Sequence, residues 1–103
     1  MVETVTRKRL EILVDSPLAS RVVALAGQAG VSGYTLIRVQ SGKGHGGTWR
    51  DDRITGAEAK TIVLTIASEE KAQRLIDLLA PHLDSYGMLL TVSDVQVVRG
   101  ERF

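Results

Sequence analysis

Two periodicities follow one another along the chain in a fixed order, and that order restricts the fold more than any single residue does. Residues 9–14 repeat every second position, Leu10, Ile12 and Val14 opposing Arg9, Glu11 and Leu13, as a strand requires. Leu18, Val22, Leu25, Ala26 and Ala29 then recur at helical spacing. Asp15 or Ser16 can serve as N-cap, Pro17 suits a first turn and Gly30 is a natural stop, so residues 17–29 are expected to be helical. Residues 33–40 return to period two, with Thr35, Ile37 and Val39 opposite Tyr34, Leu36 and Arg38. Residues 59–67 do the same, Ile62, Leu64 and Ile66 alternating with Val63 and Thr65. Ser68 is placed to cap a second helix, with Glu69 and Glu70 where the helix dipole favours negative charge. Ala72, Leu75, Ile76, Leu79 and Leu83 form its apolar stripe, and Pro81 ends it near Ala80. Gly87 opens a last strand through Leu89, Leu90, Val92 and Val95 to Val98.

The order β-α-β-loop-β-α-β implies a ferredoxin-like α+β fold: an antiparallel four-stranded βαββαβ sheet with both helices on one face, in a single domain over residues 1–103. Such a two-layer sandwich leaves one sheet face bare. Leu13, Leu36 and Val63 are expected on that face, and apolar residues clustered there point to a symmetric homo-oligomer. The 44% hydrophobic content supports a core, whereas 13 basic against 12 acidic residues give no electrostatic case for nucleic acid or membrane binding. Cysteine is absent, which excludes disulfides and thiolate sites. The polar start and the lack of an apolar run near ~20 residues lead to the expectation of a cytoplasmic protein without membrane insertion.

Residues 41–58 have no period and are read as one long loop. Connections above about 12–15 residues in small domains are usually functional or disordered. Its glycine cluster, Gly42-Lys43-Gly44-His45-Gly46-Gly47, directly follows a strand; such backbone can approach a phosphate, with Lys43 adding charge. The spacing is that of neither a Walker A loop nor a dinucleotide fingerprint, and a plain surface loop fits the same composition. Arg99 and Arg102 flank Gly100 in the tail, 99–103, where guanidinium forks suit phosphate but a solvated end is the simpler account. His45 and His82 are too few for a metal site. Trp49, amid Arg50, Asp51, Asp52 and Arg53, fits either a partner contact or a side chain folded back on the body. Asp51 and Asp52 are adjacent, so they are unsuited to flank a bond as a catalytic pair, and no nucleophile–base arrangement is evident.

Gly33-Tyr34-Thr35, Ser41-Gly42-Lys43-Gly44, Tyr86-Gly87 and Ser93-Asp94-Val95, in this order, resemble the PII-like signalling proteins. Within that family the chain resembles the carboxysome-associated PII protein and the regulator of the cyanobacterial sodium-dependent bicarbonate transporter. The resemblance implies a homotrimer that binds an adenine nucleotide, ADP or AMP, and also bicarbonate, in clefts between subunits. It further implies that residues 41–58, the T-loop, change conformation with ligand and touch a transporter or other protein partner. Carried over, Thr35 with Ser41, Gly42, Lys43 and Gly44 would frame the cleft, Lys43 lying near phosphate or bicarbonate. Ala57, Glu58 and Ala59 would approach the adenine. Tyr86, Gly87, Met88 and Leu89 would border the nucleotide from the last loop and strand, and Arg99 and Arg102 would neutralise phosphate. Met88 stands where other PII proteins carry a phosphate-binding lysine, which implies AMP or ADP rather than tight ATP binding. The T-loop lacks a tyrosine for modification, and the tail lacks the two-cysteine extension of the transporter regulator.

Other activities on similar topologies fit less well. An acyl phosphatase needs an amide side chain beside a glycine–arginine loop, and here there is no asparagine while Gln28, Gln40, Gln73 and Gln96 lie elsewhere. An RNA-binding sheet needs aromatic residues, of which the strands offer Tyr34. A metal-binding trimer would need more ligands than two histidines. The chain is therefore expected to be a regulator and not an enzyme, with no metal.

Overall fold

The computed structural model describes residues 2–44, 47–50 and 59–98. Strand β1 (Thr4–Asp15) leads through a 3-10 turn (Ser16–Leu18) into helix α1 (Ala19–Gln28). Strands β2 (Thr35–Val39), β3 (Ser41–Gly44), β4 (Gly47–Arg50) and β5 (Lys60–Ala67) follow, then helix α2 (Glu69–Leu79), a second 3-10 turn (Ala80–His82) and strand β6 (Leu89–Val98). The main sheet has the order β2-β5-β1-β6, every neighbouring pair antiparallel. This is the expected ferredoxin-like arrangement.

Both helices cover one face of the sheet. Leu10, Ile12 and Val14 of β1 are fully buried there against Val63 and Ala67 of β5, Val22 and Ala26 of α1, and Ala72, Leu75 and Leu79 of α2. The helical stripes read from the sequence are these buried faces, with Leu18, Leu25 and Ile76 packed at their margins. Ser68 caps α2 as expected, its hydroxyl accepting from the Lys71 amide at 3.3 Å. Gly30 ends the α1 region in the left-handed conformation, φ 86°, that favours glycine.

Several expectations need correction. The first strand is not confined to 9–14. It starts at Thr4, because β6 pairs with it from Leu13↔Leu89 to Thr4↔Val98. Thr4, Thr6 and Gln96 hydrogen-bond across this ribbon, and Lys8 bonds Asp94 at 2.6 Å, a contact that holds the lysine ammonium above its ordinary range. In the run Thr4–Lys8 Val5 is the single apolar residue, so alternation carries no signal there. Neither Asp15 nor Ser16 caps the first helix with its side chain. The regular parts of the other strands are also shorter than read: β2 begins at Thr35 rather than Gly33, and β6 at Leu89 rather than Gly87. Residues 41–58 are not wholly irregular, since β3 and β4 pair as a hairpin, Ser41↔Arg50 to Gly44↔Gly47. Glycines carry no side-chain period, so this pairing was invisible to a pattern search.

The bare face also differs from expectation. Val63 pairs with Ile12 and with Leu36, and directly paired residues share a face, so Val63 and Leu36 lie on the helix side. Val63 is completely buried there, and Leu36 stays 51% exposed because β2 is an edge strand. Leu13 does lie on the bare face. Its cross-strand neighbours Ile62 and Leu89, together with Ile37 opposite Ile62, form one apolar row across all four strands. The groupings by alternation were right, and the assignment of two of them to a face was reversed.

Leu75 is fully buried between the layers. Leu75→Ala is expected to cost about 3 kcal/mol through lost burial and an unfilled cavity, lowering the thermal midpoint by roughly 12–20 °C. Calorimetry checks this; a shift under a few degrees would mean that the layers do not close on this residue.

Candidate functional site

The register brings several chain segments to one end of the sheet. Asp15, the last residue of β1, pairs with Lys60, the first of β5, and Lys60 also pairs with Val39 at the end of β2. Ser41 begins β3 two residues beyond Val39, so the hairpin leaves the sheet at this end. Leu89 opens β6 opposite Leu13, which brings the 83–88 turn to the same end. Here the Lys60 ammonium bonds the Asp15 carboxylate, the Ser16 amide donates to the Ala59 carbonyl at 2.9 Å, and the Ser16 and Thr61 hydroxyls share a hydrogen bond at 2.7 Å.

The turn before β6 is closed on itself. The Tyr86 amide donates to the His82 carbonyl at 2.9 Å, Gly87 to Asp84 at 3.2 Å and Met88 to Leu83 at 3.0 Å. Gly87 has φ 59°, and a Cβ built there would stand 3.9 Å from Asp15 Oδ2. Tyr86 stacks on His82 with ring centroids 4.6 Å apart, and Arg21 Nη1 donates to its hydroxyl at 3.4 Å. The Tyr86 side chain therefore braces the turn against α1 and the second 3-10 turn.

Of the residues expected at a site, Ser41, Gly42, Lys43, Gly44, Ala59, Tyr86, Gly87, Met88 and Leu89 belong to the segments that meet at this end of the sheet. Ala59 is buried, Met88 packs against the core, and Leu89 is 59% exposed on the bare face. Thr35 does not join them within one protomer. It begins β2 opposite Leu64, four residues from Val39 and so roughly 13 Å along the strand. Ala57, Glu58, Arg99 and Arg102 lie outside the described residues, as do His45, Asp51, Asp52 and Arg53. Among the described residues no group of three metal-binding side chains occurs, and no helix is long and apolar enough to cross a membrane.

Sequence reasoning missed the Asp15–Lys60 pair. Asp15 has the residue type and position of a helix cap, and only the β1–β5 register reveals its partner. A recess between Val31, Gly33, Ile66 and Lys71 holds about 50 Å³, small beside the roughly 300–1,000 Å³ of a pocket for an organic ligand.

Comparison with known proteins adds independent findings. Residues 7–102 match the family described as nitrogen regulatory protein P-II. A search of curated proteins found no match. The fold superposes on CPII, a nitrogen regulatory PII-like protein from Thiomonas intermedia K12 bound to ADP, AMP and bicarbonate, with TM-score 0.92 and 26% identity, covering 100% of this chain and 98% of that one. CPII bound to ADP and bicarbonate gives TM-score 0.87 at 26% identity, covering 100% and 99%. A PII-like signalling protein from Thermus thermophilus gives TM-score 0.84 at 29% identity, covering 98% of each chain.

Gly87→Ala places a side chain in the left-handed region and against Asp15. The substitution is expected to lower stability by about 1 kcal/mol. Chemical denaturation measures it, and an unchanged midpoint would show that the turn adopts another conformation.

Proposed function

Because the chain belongs to the nitrogen regulatory protein P-II family, we propose that this PII-like signalling protein binds ADP or AMP, with bicarbonate as a further ligand, in clefts between the subunits of a homotrimer. The observation that carries the reading is the end-to-end superposition, TM-score 0.92, on CPII bound to ADP, AMP and bicarbonate. In this reading Thr35 of one subunit and the Ser41–Gly44, Tyr86–Leu89 and Arg99–Arg102 segments around a neighbouring sheet end complete one cleft. Lys43, Arg99 and Arg102 supply positive charge to phosphate or bicarbonate, and residues 57–59 approach the adenine. Met88 packs against the core and brings no charge, which favours one or two phosphates over three.

The output is residues 41–58, acting in the cytoplasm on a transporter or a carboxysome-related process of inorganic-carbon metabolism, with Trp49 as a candidate contact. The mechanism is population shift. The hairpin β3–β4 has four residues per strand and sits apart from the main sheet. An isolated two-stranded hairpin is marginally stable in water. Ligand contacts to its base can therefore select among loop arrangements at little energetic cost.

Two measurements test this. Isothermal titration should show saturable heat with ADP and AMP, weaker heat with ATP, and a change of ADP affinity in bicarbonate; absence of heat with all of them removes the ligand reading. Sedimentation should show a trimer, and Ile37→Glu, which puts a carboxylate on a bare-face residue 40% exposed in the protomer, should shift it toward single chains without unfolding. A wild-type protein that sediments as single chains excludes a shared cleft.

A further inference from the structure

We infer that Asp15 and Ser16 form a joint tying the return end of the 41–58 loop to the 83–88 turn, and that they are positioning residues for the response to nucleotide. The inference rests on the proposed reading of those segments as signalling loop and ligand turn. The two residues stand at a helix start and are of the types that cap helices, yet neither side chain caps. Both turn toward the strand at which the loop rejoins the sheet. The Ser16 amide donates to the Ala59 carbonyl, Asp15 Oδ1 accepts from Lys60 Nζ, and the Ser16 hydroxyl meets that of Thr61. Three consecutive residues, 59–61, are thus each held by one two-residue corner.

The second oxygen of the same carboxylate faces the other segment. Asp15 Oδ2 stands 3.9 Å from where a Gly87 Cβ would be, and Gly87, at φ 59°, is the residue on which the turn reverses into β6. Opposite oxygens of one side chain therefore border Lys60 and Gly87. The Lys60 side chain is 18% exposed and that of Asp15 37%, so water screens the pair only in part. A ligand that displaces the 83–88 turn would change what this carboxylate packs beside, and through it the setting of the lysine two positions after Glu58.

Amide hydrogen exchange on the full-length chain tests the joint first without nucleotide. Asp15→Asn should speed exchange about three- to tenfold both around residues 59–62 and at 86–88, leaving the amides of α2 near Leu75 unchanged. The charge-swapped pair Asp15→Lys with Lys60→Asp should restore protection at 59–62. With ADP added, protection of residues 41–50 should respond in the wild type and fail to respond in Asp15→Asn. Acceleration at one segment alone, at neither, or equally across α2 overturns the joint. Joint acceleration without ligand upholds it even if the wild type takes up no ADP, an outcome that would instead sink the nucleotide reading.

Discussion

Antiparallel pairing of β1 on both of its edges is the constraint from which the rest of the structure follows. β1 is flanked by β5 and β6, and its alternate side chains Leu10, Ile12 and Val14 have no exposed surface. A slip of one residue would turn these three to the bare face and bring Arg9 and Glu11 under the helices. Arg9 and Glu11 are paired at 2.8 Å, yet desolvating even this couple under the helices would cost several kcal/mol per ion before their attraction is counted. The register is therefore fixed by the core and not by the loops. Once it is fixed, Asp15, Lys60, Val39 and Leu89 must arrive at the same end of the sheet. The candidate site is a geometric consequence of where the core lies.

This explains which parts were legible in the sequence. Element order, helix faces and the Ser68 cap depend on local residue pattern, and they were readable. Strand groupings were readable too, but their faces were not. In β5 both sides of the strand are apolar, Ile62, Leu64 and Ile66 against Val63, so alternation alone cannot say which side meets the helices. Only the cross-strand partner Ile12, itself buried, decides for Val63. The hairpin β3–β4 was hidden for the opposite reason, because glycines have no side chain to alternate. At one end of the sheet the register gathers several of the segments named from the family resemblance, whereas the Asp15–Lys60 pair depends on residues 45 positions apart and has no local signal.

The bare face gives the fold its second property. Leu13, Ile37, Ile62 and Leu89 form an apolar row on the side without helices, and Leu89 and Ile37 are 59% and 40% exposed. Clustered exposed apolar residues of this kind mark interaction surfaces, and a second copy of the chain is the simplest partner. Thr35 lies on the same face, separated along β2 from the other candidate residues by about 13 Å. A protomer with an apolar face left bare and the proposed ligand residues divided along the sheet is incomplete in two respects, and packing copies together would remedy both at once. Under the proposed function, assembly and ligand binding are linked through one surface.

Under the proposed function, the contrast between the hairpin and its anchorage supplies the means of signalling. β3 and β4 hold each other by few backbone bonds and contain Gly42, Gly44 and Gly47, so ordering them costs much of what the pairing gains. The return end at 59–61, in contrast, is fastened by an ion pair and two hydrogen bonds to a corner continuous with the central strand. If the anchorage were as weak as the hairpin, ligand contacts at the base would dissipate in local fraying. If the hairpin were as firm as the anchorage, contacts at its base would shift it little. In that reading, a loose arm on a fixed hinge lets a modest difference in contact energy at the base select among arrangements of the arm.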